Sequence, residues 1–115
     1  MHDDNCDDEG RFELYCADGR EWFRLIWRDQ MLLRSHGEPT REQAAADVDR
    51  LLSSSTSLRA CMTATGRFYF TAQTHGGEVL ATSRLFELPA ERDAAMAVAV
   101  KLVRGGPLEI RIVRT

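Results

Sequence analysis

The sequence predicts an α+β domain in which one β-β-β-α unit occurs twice in tandem, its antiparallel sheets packed against two helices, with one more strand at the C-terminus. Three observations predict this. Ser35 can be laid over Ser83 so that Val48 falls over Met96 with no gap between them, and such self-similarity is the mark of a repeat architecture. Apolar residues alternate before each serine and recur at helical spacing after it. After the second helical stretch, Leu108, Ile110 and Ile112 alternate with Glu109 and Arg111, in the place of a first strand of a third copy. The expected organisation is a disordered acidic tail over 1–10 and a single domain over 11–115. That domain divides into repeat 1 over 11–56, repeat 2 over 57–105 and the extra strand over 107–114.

In the first repeat, Phe12, Leu14 and Cys16 alternate with Glu13 and Tyr15, which places the first three toward the core. Asp18-Gly19 then turns the chain, a strong two-residue hairpin signal because both residues tolerate positive φ. Phe23, Leu25 and Trp27 share one face of the second strand, and Trp22, Arg24, Ile26 and Arg28 the other. Met31 to Arg34 form the third strand. Thr40-Arg41-Glu42-Gln43 reads as a capping box, with the threonine hydroxyl accepting a free amide of the first helical turn. Ala44, Ala45, Val48, Leu51 and Leu52 give that helix its apolar stripe.

The second repeat follows the same plan. Leu58 to Thr63 form its first strand, Gly66 its turn, and Phe68, Phe70 and Ala72 the inward face of the next strand. His75-Gly76-Gly77 turns into Glu78 to Thr82. Pro89 suits a first helical position, where its missing amide costs nothing. Met96, Ala99, Val100 and Val103, flanked by Val98 and Leu102, make this helix apolar over most of its circumference, which predicts burial between the two repeats. Gly105-Gly106-Pro107 ends it.

Composition narrows the function classes. The net charge is −3, but Asp3, Asp4, Asp7, Asp8 and Glu9 all precede Gly10, and the remainder holds 13 acidic against 15 basic residues. Fourteen of the 15 cations are arginine, the side chain suited to bidentate carboxylate or phosphate pairing. Cys6, Cys16 and Cys61 have no CxxC spacing and follow no signal-peptide core, so a reducing, cytoplasmic setting is expected, with no disulfide framework. No apolar run approaches the roughly 20 residues that cross a bilayer, so no membrane partner is expected.

The sequence resembles the YegP-like family, small bacterial proteins of one or two repeats with no assigned activity. The resemblance covers residues 11 to about 104. It is carried by FELY at Phe12 to Tyr15, FRL at Phe23 to Leu25, GRFYF at Gly66 to Phe70, and the serine-to-aromatic element Ser83-Arg84-Leu85-Phe86. The chain departs from the family pattern at its hairpins, Arg28-Asp29-Gln30 and His75-Gly76-Gly77-Glu78. It departs again where Glu38 replaces the aromatic after the first serine, and where Asp47 and Ala95 replace a helix glycine. The resemblance implies a two-repeat β-β-β-α domain and supplies no catalytic residues.

No constellation predicts chemistry. His2 and Cys6 lie in the acidic tail and His36 and His75 in turns, so no metal or cofactor is expected: a site needs several ligands at fixed geometry. Cys61 falls on the open sheet face and Cys16 in the core, and neither has a base beside it in sequence. Ser35 and Ser83 suit backbone capping. The sheet face opposite the helices is the candidate surface, carrying Tyr15, Trp22, Arg24, Arg28, Arg34, Arg59 and Tyr69. Aromatics interleaved with arginines are the means by which single strands of nucleic acid are held. The reading is a non-enzymatic binding or assembly module, whose partner is another protein or a second copy paired through the C-terminal strand; the alternative is a nucleic-acid-binding domain using the arginine and aromatic face.

Overall fold

Three strands and a helix follow one another twice along the chain, and a last strand follows the second helix. The computed structural model describes residues 10–53, 55–105 and 108–114. Strands β1 (Gly10–Ala17), β2 (Arg20–Trp27) and β3 (Gln30–Ser35) lead into helix α1 (Arg41–Leu52). Then β4 (Thr56–Met62), β5 (Phe68–Thr74) and β6 (Val79–Thr82) lead into α2 (Pro89–Arg104), and β7 (Glu109–Ile112) follows. The expected acidic tail lies outside the described residues, except for Gly10, which begins β1.

The plural sheets expected from sequence are one. Its seven strands run in the order β4-β5-β6-β3-β2-β1-β7, and β3 and β6 join the two halves antiparallel through Arg34↔Thr82 and Ser35↔Ala81. Not all of it is antiparallel. β7 lies parallel to β1, from Arg11↔Glu109 to Leu14↔Ile112. The last strand therefore crosses from the second half to the outer edge of the first, a long-range pairing that local sequence pattern cannot specify.

The hairpins explain much of the register. Asp18 and Gly19 sit at φ 55 and 73, and Arg28 and Asp29 at φ 50 and 62, so both turns have two positive-φ residues matching the twist of the flanking strands. Thr40 accepts the amide of Gln43 at 3.2 Å, as the capping pattern predicts, and Pro89 opens α2. Both helices cover the same face of the sheet. Phe12, Phe23, Leu25, Leu33, Val48, Leu51 and Phe70 are fully enclosed there in one core that spans both halves. Each large side chain so buried contributes about 1.5–3 kcal/mol over leaving it in water.

Two further expectations are corrected. Only Ala99 of α2 is fully buried; Met96, Val98, Leu102 and Val103 pack partly against the core. Most of that helix's apolar surface is alanine and valine, too small to require enclosure all round. Cys16 is exposed, because it stands at the end of β1 past Leu14, beside Arg41 and Val113 rather than under a helix. No helix of the described residues is long and apolar enough to cross a membrane.

Each half closes its third strand with the same contact. Ser35 Oγ accepts the amide of Phe23 and Ser83 Oγ accepts that of Phe70, both at 2.9 Å and both buried. Just beyond, Glu38 bridges Glu21 and Phe86 bridges Phe68 through main-chain bonds. These serines satisfy amides that the ladder leaves open, the capping role expected of them.

Candidate binding face

The helix-free face of the sheet is built by strand alternation, and register aligns its side chains in rows. One row runs across all seven strands: Arg111, Glu13, Arg24, Arg34, Thr82, Thr71 and Arg59 are successive partners. Its acidic member is spoken for. Glu13 is buried and receives Arg11 Nε at 2.7 Å and Arg24 Nε at 2.8 Å. Burial pushes its carboxyl up as the largest single influence, but the two guanidinium groups together outweigh it and hold the group below the usual carboxylate range.

Tyr15 and Trp22 are cross-strand partners whose rings stack with centroids 6.4 Å apart and planes 12° apart. The guanidinium of Arg24 lies 4.5 Å from the Tyr15 ring centre and that of Arg34 5.3 Å from the Trp22 ring. Trp22 is fixed further, its indole N–H donating to the Ala17 carbonyl at 2.9 Å. The structure thus brings four of the sequence-predicted residues, Tyr15, Trp22, Arg24 and Arg34, into one cluster.

The other three stand apart. Arg28 occupies the β2–β3 turn with its guanidinium 4.7 Å from the ring of Trp27, which packs against the core side, so it does not join the cluster. The alternation of β2 holds through Trp27 and the strand ends there, so Arg28, at φ 50 in the turn, has no face to follow. Arg59 pairs with Thr71 on the far edge strand, and Tyr69 pairs with Cys61. Tyr69 lies three strand spacings, ~14 Å, from Trp22, and Arg59 the same number from Arg34. Cys61 shares this face, its sulfur 3.9 Å from Thr71 Oγ1.

A groove of about 570 Å³ opens at the seam between the halves, where β3 and β6 share only two register pairs. Its walls include Trp22, Met31, Arg34, His36, Thr82 and Arg84. His36 Nε2 meets Thr82 Oγ1 at 2.9 Å, and Arg84 lies 4.1 Å from the centre of the Phe86 ring. Among the described residues no carboxylate pairs with Arg34 or Arg84, and none lines the groove. His36, Thr82 and Arg84 were not singled out as binding residues from the sequence. The i, i+2 spacing of Thr82 and Arg84 is the signal that would have placed both on the groove side.

The architecture also has solved counterparts. The solution NMR structure of yegP from E. coli, a protein of unknown function, matches with TM-score 0.79 and 17% identity over 92% of this chain and 94% of that one. The chain has the YegP fold. A UPF0339 protein from Shewanella oneidensis, also solved by NMR, matches with TM-score 0.77 and 15% identity over 92% of each chain. No protein-family model matches the chain, and no curated protein does. At this identity the YegP fold is what is shared, and the neighbours bring no activity with them. The resemblance read from FELY, FRL and GRFYF agrees with it.

Proposed function

We propose that this chain is a binding module, formed by tandem duplication of one β-β-β-α unit, that receives single-stranded nucleic acid in the groove at the seam of its open face. The duplication is supported by the paired serine contacts of Ser35 and Ser83 and by the paired bridges that follow them. The ligand reading is carried by one observation: Arg34 and Arg84, neither paired with a described carboxylate, flank the groove in which the face of Trp22 is held. Arginine supplies planar donors for phosphate, and an indole face takes a base of any sequence. Tyr15, stacked behind Trp22, braces that face. His36 and Thr82 add hydrogen-bonding groups at the groove wall. The charge arrangement agrees, since on this face Glu13 is already neutralised by Arg11 and Arg24, and Glu109 by Arg111.

Fluorescence anisotropy with labelled short RNA and single-stranded DNA tests the reading. Binding should weaken linearly in log salt, and the Arg34→Ala/Arg84→Ala double variant should reduce the slope by roughly 1–1.5. Trp22→Ala should cost about 1–3 kcal/mol of affinity without a change in slope. Absence of binding at low salt, or binding indifferent to these three residues, would remove the proposal.

A further inference from the structure

The sheet ends in two outer strands, β4 and β7, and they differ in what they offer a neighbour. We propose that two copies of this chain associate through β7, antiparallel about a twofold axis at Ile110, merging their sheets into one. The inference is independent of the ligand reading.

Main-chain geometry comes first. The amide of Val113 donates to the Leu14 carbonyl at 2.8 Å, and β7 pairs in parallel with β1. Main-chain groups of alternate residues in a strand point to opposite sides, so Glu109, Arg111 and Val113 direct theirs at β1. Ile110 and Ile112 direct theirs outward. Among the described residues nothing lies on that edge, and β7 has neither the proline nor the bulge that blunts exposed edges.

The side chains agree. Ile110 and Ile112 are in register with Phe12 and Leu14 and so face the helix side, yet they are 46% and 60% exposed while Phe12 and Leu14 are buried. On the opposite face Glu109 and Arg111 form an ion pair at 3.0 Å. With Ile110 opposite Ile110 of the second copy, Leu108 falls opposite Ile112, and Glu109 falls opposite Arg111 on both sides of the axis. Ile110 then makes a hydrogen-bonded pair, which its outward groups require. Glu109 and Arg111 fall at non-hydrogen-bonded pairs, where side chains approach most closely.

Charge selects this register. A slide that centres the axis on Arg111 sets two arginines opposite each other, which is destabilising. The strand is thus self-complementary, as a closed twofold interface demands. β4 offers no such match, because its charged residue is Arg59 and it carries no acid. An interface of this length falls in the small, weak class, so association should be concentration-dependent.

Sedimentation equilibrium from micromolar to millimolar protein is the test, and the mass should rise toward twice that of one chain. Glu109→Arg and Arg111→Glu should each weaken association about tenfold or more, because each sets like charges opposite at two places. Combined, they restore opposite charges and should return association to the wild-type level. Ile110→Pro removes an outward amide and leaves the ladder to β1 intact, so it should abolish association with little change in thermal unfolding. A monomer across the whole range overturns the proposal. So does a dimer that ignores both charge reversals, or one that survives Ile110→Pro, which would indicate exchange of β7 onto the second copy's β1.

Discussion

The two halves of the sheet share a backbone device and differ in what they build on it. Phe23 and Phe70 are both fully buried, and each donates its amide to the serine that ends the third strand. Three residues beyond the serine they part. The second half has Phe86, buried and stacked on Phe70 at 6.4 Å, with Ala95 on the helix behind. The first half has Glu38, whose carboxyl bonds with that of Asp47. The open face divides the same way: Tyr15, Trp22 and Arg24 in the first half stand where the second has Cys61, Tyr69 and Thr71. The lesson is a division of labour. Both halves keep phenylalanines in the core, but the first adds a half-exposed Trp22, backed by the buried Tyr15, and arginines beside the seam.

The sharpest way to break this comparison is to remove the residues that differ. Phe86→Ala should cost about 3–5 kcal/mol, because a buried ring is lost and a cavity is left against Phe70. Glu38→Ala should cost far less, and near neutral pH it should be close to neutral because it relieves a carboxyl pair. Urea denaturation of both variants measures this; equal losses would mean that the two positions do the same work.

The shared device should respond equally in both halves. Ser35→Ala and Ser83→Ala each leave a buried amide without a partner, so each should cost about 1–3 kcal/mol. The two values should agree to within about 0.5 kcal/mol. A large gap in thermal unfolding would show that one serine is not equivalent to the other, despite equal distances.

Acidity sharpens the contrast next. The hydrogen bond with Asp47, then burial, then the charge of Asp47 push Glu38 up to about 7 from 4.5, with Glu78 adding to the rise and Arg20 opposing it. A carboxyl with its folded pKa raised stabilises the fold most below about pH 4.5, where both states are protonated. Above that the unfolded chain releases its proton first, and the benefit is gone once pH has risen past about 7. Wild type should therefore lose on the order of 1–2 kcal/mol between about pH 5 and about pH 8, allowing for screening by nearby water. The Glu38→Gln variant should lose none of that portion. Glu13, Glu21 and Glu78, each held low by arginines, act with the opposite sign and only at lower pH. Parallel curves for wild type and Glu38→Gln would rule out a raised Glu38 carboxyl.

Sequence made the local features legible and missed those that depend on distance. Asp18-Gly19, Thr40 with Gln43, Pro89 and the alternation of β1 and β2 act over a few residues, so pattern alone located them. The departures at Glu38 and Asp47 were visible as unusual residues, but not as a bonded pair, because α1 must fold back before the carboxyls meet. β7 was readable as a strand and not as a partner of β1, since the pairing spans the whole chain. Arg28 was misplaced because β2 ends at Trp27, and a residue in the positive-φ turn no longer follows the period-two pattern. Of the open-face cluster, alternation found Tyr15, Trp22, Arg24 and Arg34. The seam groove was invisible, because it exists only where β3 meets β6.

The open face gives the smallest effect and the finest test of asymmetry. Tyr15 and Trp22 stack as a cross-strand pair with nearly parallel rings, and an arginine lies over each. Aromatic pairs of this kind couple by about 0.5–1.5 kcal/mol beyond the area they bury. A double-mutant cycle of Tyr15→Ala and Trp22→Ala, read by urea unfolding, should return a coupling in that range. The corresponding pair in the second half, Cys61 and Tyr69, has one ring and a thiol turned to Thr71, so its cycle should return about 0.3 kcal/mol or less. Equal couplings would mean that the stack in the first half is ordinary sheet packing. Unequal ones would mean that Trp22 is held rigid ahead of any ligand, which is the condition under which a stacked base gains most, because the ordering of the indole has already been met in the free protein.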